Sequence, residues 1–124
     1  QGIEEKVVAL VQRLGMLEEV EVFSFDHAAA HRTKQLCPQL LTGVCYYADP
    51  VDHVALARQA NADVLHPNWH NVRQQMVEAA HRAGLLVITW TVNEAQDAVA
   101  AARAGVDAIK TDFPQRVRSA LAAN

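Results

Sequence analysis

The chain has 124 residues, about half of them hydrophobic and a fifth charged, which suffices for one domain with a core and excludes a disordered chain. Its formal charge of −3, with Lys and Arg scattered along the sequence, excludes the basic footprint of a nucleic-acid binder. No apolar run reaches the roughly 18–20 residues that a membrane helix needs.

Taken in order, the hydrophobic period switches repeatedly. Residues 3–14 place Val7, Val8, Val11 and Leu14 on one side of a helix, with Gly15 as its stop. "VEVFSF" (20–25) predicts a strand, and Asp26 stands where the next helix needs a cap. Pro38 closes that helix. "LTGVCYY" (41–47) predicts a second strand, followed by Asp49-Pro50 and the helical stretch 51–60. "ADVLHP" (62–67) predicts a third, shorter strand, and 71–84 a helix ending at Gly84. The apolar run "LVITWTVN" (86–93) is a fourth strand that leads straight into a helix, with Asn93 as its expected cap and Gln96 completing a capping box. "VDAIKT" (106–111) predicts a fifth strand, and Asp112-Phe113-Pro114 opens a last helix with proline at a permitted early position.

The expected fold is therefore α/β: a leading helix and then about five consecutive parallel βα units. Helices cover one face of such a sheet, so the other face needs an explanation. A doubly wound sheet reverses its strand order, whereas a barrel curls and fills its interior. Consecutive units without a long connection fit a partial TIM barrel, because a whole one takes about 200–250 residues and eight units.

The N-terminal residues carry no signal-peptide pattern, and the expected location is cytoplasmic. Cys37 and Cys45 lack CxxC spacing and read as two buried thiols. Gln1-Gly2 has the look of a tag remnant, so a single domain is expected over 3–124.

Three stretches carry a resemblance. "VFSFDHAAA" (22–30), "ADVLHPNWHNVRQQMVEAAHRAG" (62–84) and "AGLLVITWTVNEAQDAVAAARAGVDAIKTDFPQRV" (83–117) are similar to the later units of glycerophosphodiester phosphodiesterases. The most specific agreement is Trp-Thr-Val-Asn at 90–93, followed by Thr-Asp-x-Pro at 111–114. The resemblance implies a TIM barrel that hydrolyses glycerophosphodiesters to an alcohol and glycerol 3-phosphate. It also implies a divalent cation, usually magnesium or calcium, and a histidine pair for acid-base work. The family's His-Arg-Gly strand, Glu-x-Asp metal pair, His-Asp segment and Glu-x-Lys strand do not occur here. The resemblance thus assigns no catalytic residue and no metal ligand to this chain, and retains no cofactor in it.

Three residues remain as candidate pocket lining. The resemblance places Trp90 at the barrel mouth beside the glycerol part of the substrate, with plain packing as the alternative. Phe25 would form an apolar wall on the same rim. His66, ending its strand, would be polar lining; a metal site with His70 is the sharper alternative but lacks a carboxylate at a recognised spacing. Ser24 has no histidine-carboxylate arrangement beside it and is not a nucleophile. His27, His31, His53 and His81 lie on helical stretches, where solvated surface is expected. Asp112 is expected as a cap or a tie between loops, and Asp49, Asp52 and Glu94 could reach the rim. An open sheet would expose an apolar face and two unpaired edges, so the expected partner is a second copy or a complementing N-terminal half. Two functions follow: a glycerophosphodiester phosphodiesterase inactive on its own, or a non-catalytic scaffold or ligand-binding remnant of that family.

Overall fold

The computed structural model describes residues 2–124; Gln1, half of the expected tag remnant, lies outside the described residues. Helix α1 (Ile3–Arg13) leads. Five βα units follow: β1 (Glu21–Ser24) with α2 (His27–Leu36), β2 (Leu41–Tyr46) with α3 (His53–Ala60), β3 (Val64–Pro67) with α4 (Gln74–Arg82), β4 (Leu86–Thr89) with α5 (Ala95–Ala104), and β5 (Ala108–Ile109) with α6 (Pro114–Ala122). A 3₁₀ turn (Trp69–Asn71) bridges β3 and α4. The strands pair in chain order, β1-β2-β3-β4-β5, and every pairing is parallel.

Unreversed order decides between the two α/β architectures. Successive right-handed crossovers in one direction put the helices on one face and leave the other as a future interior. On the helix side, Val44, Tyr46, Leu65 and Val87 pack with Ala57, Ala60, Val77 and Ala80 in one buried cluster. Residues of opposite parity along each strand point inward. The inner row therefore holds Glu21, Phe23, Gly43, Cys45, His66, Ile88 and Lys110.

This inner face is curled. Glu21 on β1 touches His66 on β3, two strands away, because Gly43 between them has no side chain. A Cβ on Gly43 would lie 2.5 Å from Glu21 Oε1 and 2.6 Å from the His66 ring. Lys110, just past β5, reaches back over β4 to the same ring. Contacts between alternate strands are how a barrel interior is layered.

Local signals set most boundaries. Asp26 caps α2, its carboxylate accepting from Ala28 N and Ala29 N at 3.0 and 3.2 Å. Gly105 takes the left-handed conformation (φ 96°) that ends α5. Helix α3 starts at His53, later than the 51–60 expected, because Asp52 is its cap and accepts from Ala55 N. Strand β5 keeps only two of the six residues expected, since only β4 pairs with it among the described residues.

Asn93 corrects the capping expectation. Glu94 occupies the N-cap of α5 without a side-chain bond. Asn93 instead spans to the loop after β5: its Oδ1 accepts from Asp112 N (3.0 Å) and Thr111 Oγ1 (3.2 Å), and its Nδ2 donates to Asp112 Oδ2 (2.9 Å). That loop offers orphan donors closer than the helix does. Asp112 is thereby a tie between loops, as its position suggests.

Three of the four helical histidines are a second correction. His53 is buried and pairs with Tyr46 Oη at 2.8 Å; His27 Nε2 meets the Cys45 carbonyl and His31 Nδ1 the Ala60 carbonyl. His81 bonds Asp107, whose carboxylate also accepts from Val87 N. For His27, His31 and His53, helices pressed on a sheet turn the ring into the seam, where buried polar groups need partners. His81 stays exposed at the surface, as expected. Cys37 and Cys45 are free and buried.

Candidate functional site

The C-terminal ends of parallel strands gather three aromatic side chains from three units. Trp90 stands one residue past β4, held by a bridge to Asn68 and by Trp69 N donating to its carbonyl at 3.0 Å. Its indole lies edge-on to Phe25 and Tyr47, with centroids 5.5 and 4.9 Å away, while Phe25 and Tyr47 stack on each other at 5.5 Å. These are favourable geometries for quadrupolar rings. Phe25 and Tyr47 remain 57% and 69% exposed, so this patch is a surface and not a plugged core.

Beneath the aromatics runs a polar chain. His66 is fully buried, with Nε2 at 2.5 Å from Glu21 Oε1 and Nδ1 at 2.8 Å from Lys110 Nζ. A carboxylate only accepts, so Nε2 carries the hydrogen, and Nδ1 accepts from the lysine. Phe23 stacks on the ring at 4.4 Å, and the Lys110 ammonium sits 3.3 Å from the Phe23 ring centre. Burial pushes the Lys110 pKa down, and the neighbouring Cys45 and Glu21 oppose that shift. Burial likewise raises the Cys45 thiol, against the pull of Lys110, which marks it as inert. The carbonyl of His66 accepts from Trp90 Nε1 at 2.8 Å. One residue thus holds both the indole and the ammonium.

Of the candidates from sequence, Phe25 and Trp90 meet at the rim, and His66 lies under it. Ser24 does not join them; its Oγ accepts from Asp26 N. His70 turns away to stack on Trp69 at 3.8 Å and bond Asn68. Glu21 and Lys110 are not evident from local motifs. Their signal is parity: each is a charged residue on the inward row of its strand or strand extension.

The carboxylates near the rim are engaged elsewhere. Asp49 pairs with His53 and Arg73, Asp26 caps α2, and Asp112 is tied to Asn93. Among the described residues no three His, Cys, Asp or Glu converge as metal ligands. Magnesium needs at least one or two free carboxylates beside its waters, and calcium more. The rim carboxylates here neither converge nor stand free, so these residues do not fit such a cation. A cleft of about 410 Å³ opens between the starts of α3 and α4, but Phe25, His66, Trp90 and Lys110 do not line it.

A curled parallel wall of consecutive βα units, with an aromatic rim at the C-terminal ends of its strands, belongs with the (βα) barrels. The sequence makes this specific: residues 2–116 match the glycerophosphoryl diester phosphodiesterase family, and the chain belongs to that family. A glycerophosphodiester phosphodiesterase of Caldanaerobacter subterraneus is 32% identical over 92% of this chain and 47% of its own length. A crystal structure from Silicibacter pomeroyi, provisionally assigned to the same activity, superposes with a TM-score of 0.90 at 30% identity, over 97% of this chain and 43% of that one. An Oleispira antarctica phosphodiesterase, solved with sn-glycerol-3-phosphate as product, gives 0.78 at 25% identity over 98% and 51%. The chain spans about half the length of the relatives it matches. Among the described residues no helix is long and apolar enough to cross a membrane.

Proposed function

We propose that this chain forms the rear wall of a glycerophosphodiester phosphodiesterase barrel, which hydrolyses a glycerophosphodiester to an alcohol and glycerol 3-phosphate. The observation that carries this reading is the inner face: a curled wall, in a member of this family, with Trp90 and Phe25 at the mouth and His66 fixed below them. Trp90 and Phe25 line the apolar side of the pocket, and His66 lines it from beneath through the groups it holds. A phosphodiester repels nucleophiles by its charge, and its leaving alkoxide needs a proton. Magnesium or calcium supplies the neutralising charge in this reading. The oxygens that hold it, and the histidines that move the proton, come from units other than those described here.

The partner is accordingly a complementing N-terminal half, with a glycerophosphodiester as substrate. The setting is cytoplasmic, which suits two unpaired thiols. The test is hydrolysis of glycerophosphocholine with magnesium or calcium against an EDTA control. The purified chain should be silent, and adding the N-terminal half should produce metal-dependent turnover. Metal-dependent turnover by the chain alone would sink the division of labour.

A second reading is a self-associating, non-catalytic wall. It is favoured by exposed Phe23, Leu41, Tyr47 and Leu86 on the inner row and by the outer edges of β1 and β5. Light scattering at micromolar concentration checks it: a dimer or larger mass supports it, and a monomer removes it.

A further inference from the structure

The function proposed above leaves one group on the inner face without work. Lys110 is anchored at both backbone groups, its N donating to the Thr89 carbonyl (2.8 Å) and its O accepting from Val92 N (2.9 Å). This fixes where its side chain starts, at the rim end of β5 and next to Trp90's strand. Its ammonium has three N–H groups. One goes to His66 Nδ1, and the face of Phe23 takes part of the charge. Among the described residues no carboxylate pairs with it; Glu21 is kept off by the imidazole ring between them. A half-buried cation without an ion pair is costly unless something anionic meets it.

We propose that Lys110 is an anion-binding residue of the mouth, donating its unclaimed N–H groups to an oxygen of a phosphate ester, and that His66 is the positioning residue that aims it. This rests on the phosphodiester reading for the identity of the ligand, though the anion site itself follows from the geometry. Three features converge. The ammonium is held in place by a fully buried ring, so little side-chain freedom is lost on binding. That ring is fixed by Glu21, which locks the hydrogen on Nε2 and keeps Nδ1 an acceptor. The same residue's carbonyl holds the Trp90 indole, so an ester bound to Lys110 has an apolar wall for its alcohol or glycerol part.

The experiment titrates the chain, labelled with ¹⁵N at histidine, with inorganic phosphate and with sn-glycerol 3-phosphate, reading affinity and the His66 ring-nitrogen shifts. Wild-type protein should bind both ligands saturably, with the Nδ1 resonance moving as Lys110 reorients. Lys110→Met should weaken binding about tenfold or more, the loss of one charge-assisted hydrogen bond, while Lys110→Arg keeps most of it. The amide of His66→Asn falls near the place of Nδ1, within reach of the ammonium, and that of the longer His66→Gln nearer the place of Nε2. His66→Asn should therefore bind better than His66→Gln, an ordering that a purely structural role would not give. Unchanged affinity in a folded Lys110→Met, or no saturable shift of His66 in the wild-type chain, overturns the proposal. Lys110-dependent binding of phosphate with no gain for sn-glycerol 3-phosphate keeps the anion site and counts against the glycerophosphodiester reading. The wild-type shifts need no variant to fold, so a destabilised Lys110→Met does not decide the matter.

Discussion

The two faces of one sheet divide the labour of this protein. The helix side is closed and apolar: Val44, Leu65, Val77 and Val87 are at most 1% exposed and touch one another. The inner side is half open, with a charged chain at its centre and aromatic rings at its rim. Both rows come from the same strands, one residue apart. Period two lets a strand of four to six residues serve stability with one parity and chemistry with the other.

The sharpest way to break this division is to cut both rows. Leu65→Ala leaves a cavity in the closed face and should lower the unfolding free energy by about 3 kcal/mol, measured by urea denaturation. Leu86→Ser, on the open row, should stay within about 0.5 kcal/mol. An equal cost for Leu86 would mean that something covers the inner face in solution. Gly43→Ala comes next. Its Cβ must displace the Glu21 carboxylate or the His66 ring, and should cost about 1–3 kcal/mol by overpacking. The discriminating readout is the His66 Nε2–H resonance, which should lose its signature of bonding to Glu21. A normal resonance in Gly43→Ala would contradict the account of the curl.

A smaller effect depends on pH. Burial holds the His53 pKa below its ordinary value, and Arg73 adds to this while Asp49 and Asp52 oppose it. The unfolded chain therefore takes up this proton more readily than the folded one. The contribution to stability is complete above the unfolded pKa of about 6.5 and is lost as pH falls below it toward the folded value. Denaturation midpoints at neutral pH and near pH 5 should differ, and His53→Gln should flatten that slope. An unchanged slope would assign the acid sensitivity to other groups.

How far sequence reaches follows from the range of each interaction. The βα units, the Asp26 cap and the Gly15 and Gly105 stops are all local, and periodicity or a single residue reveals them. The Glu21–His66–Lys110 chain joins residues 45 and 44 positions apart. Its existence depends on register, on curl and on the gap at Gly43, none of which a window of sequence contains. His27, His31 and His53 were hidden for a related reason: a polar ring on a helix looks solvated until the carbonyl or hydroxyl opposite it is known. Asn93 failed as a cap because its competitor, the Asp112 loop, arrives from 19 residues away.

The least stabilising contact tested is the one that joins the two parts of the inner face. Trp90→Phe deletes the bond from Nε1 to the His66 carbonyl and keeps an aromatic ring against Phe25 and Tyr47. On a closed face, an orphaned carbonyl would cost its full desolvation. Here the rim is open, water can replace the indole donor, and the loss should be only about 0.5 kcal/mol. The smaller ring would no longer be pinned to the residue that holds Lys110, so binding of sn-glycerol 3-phosphate should fall several-fold while inorganic phosphate is nearly unaffected. Equal losses for the two ligands would mean that Trp90 acts by supporting the wall and not by meeting the organic part of the ester.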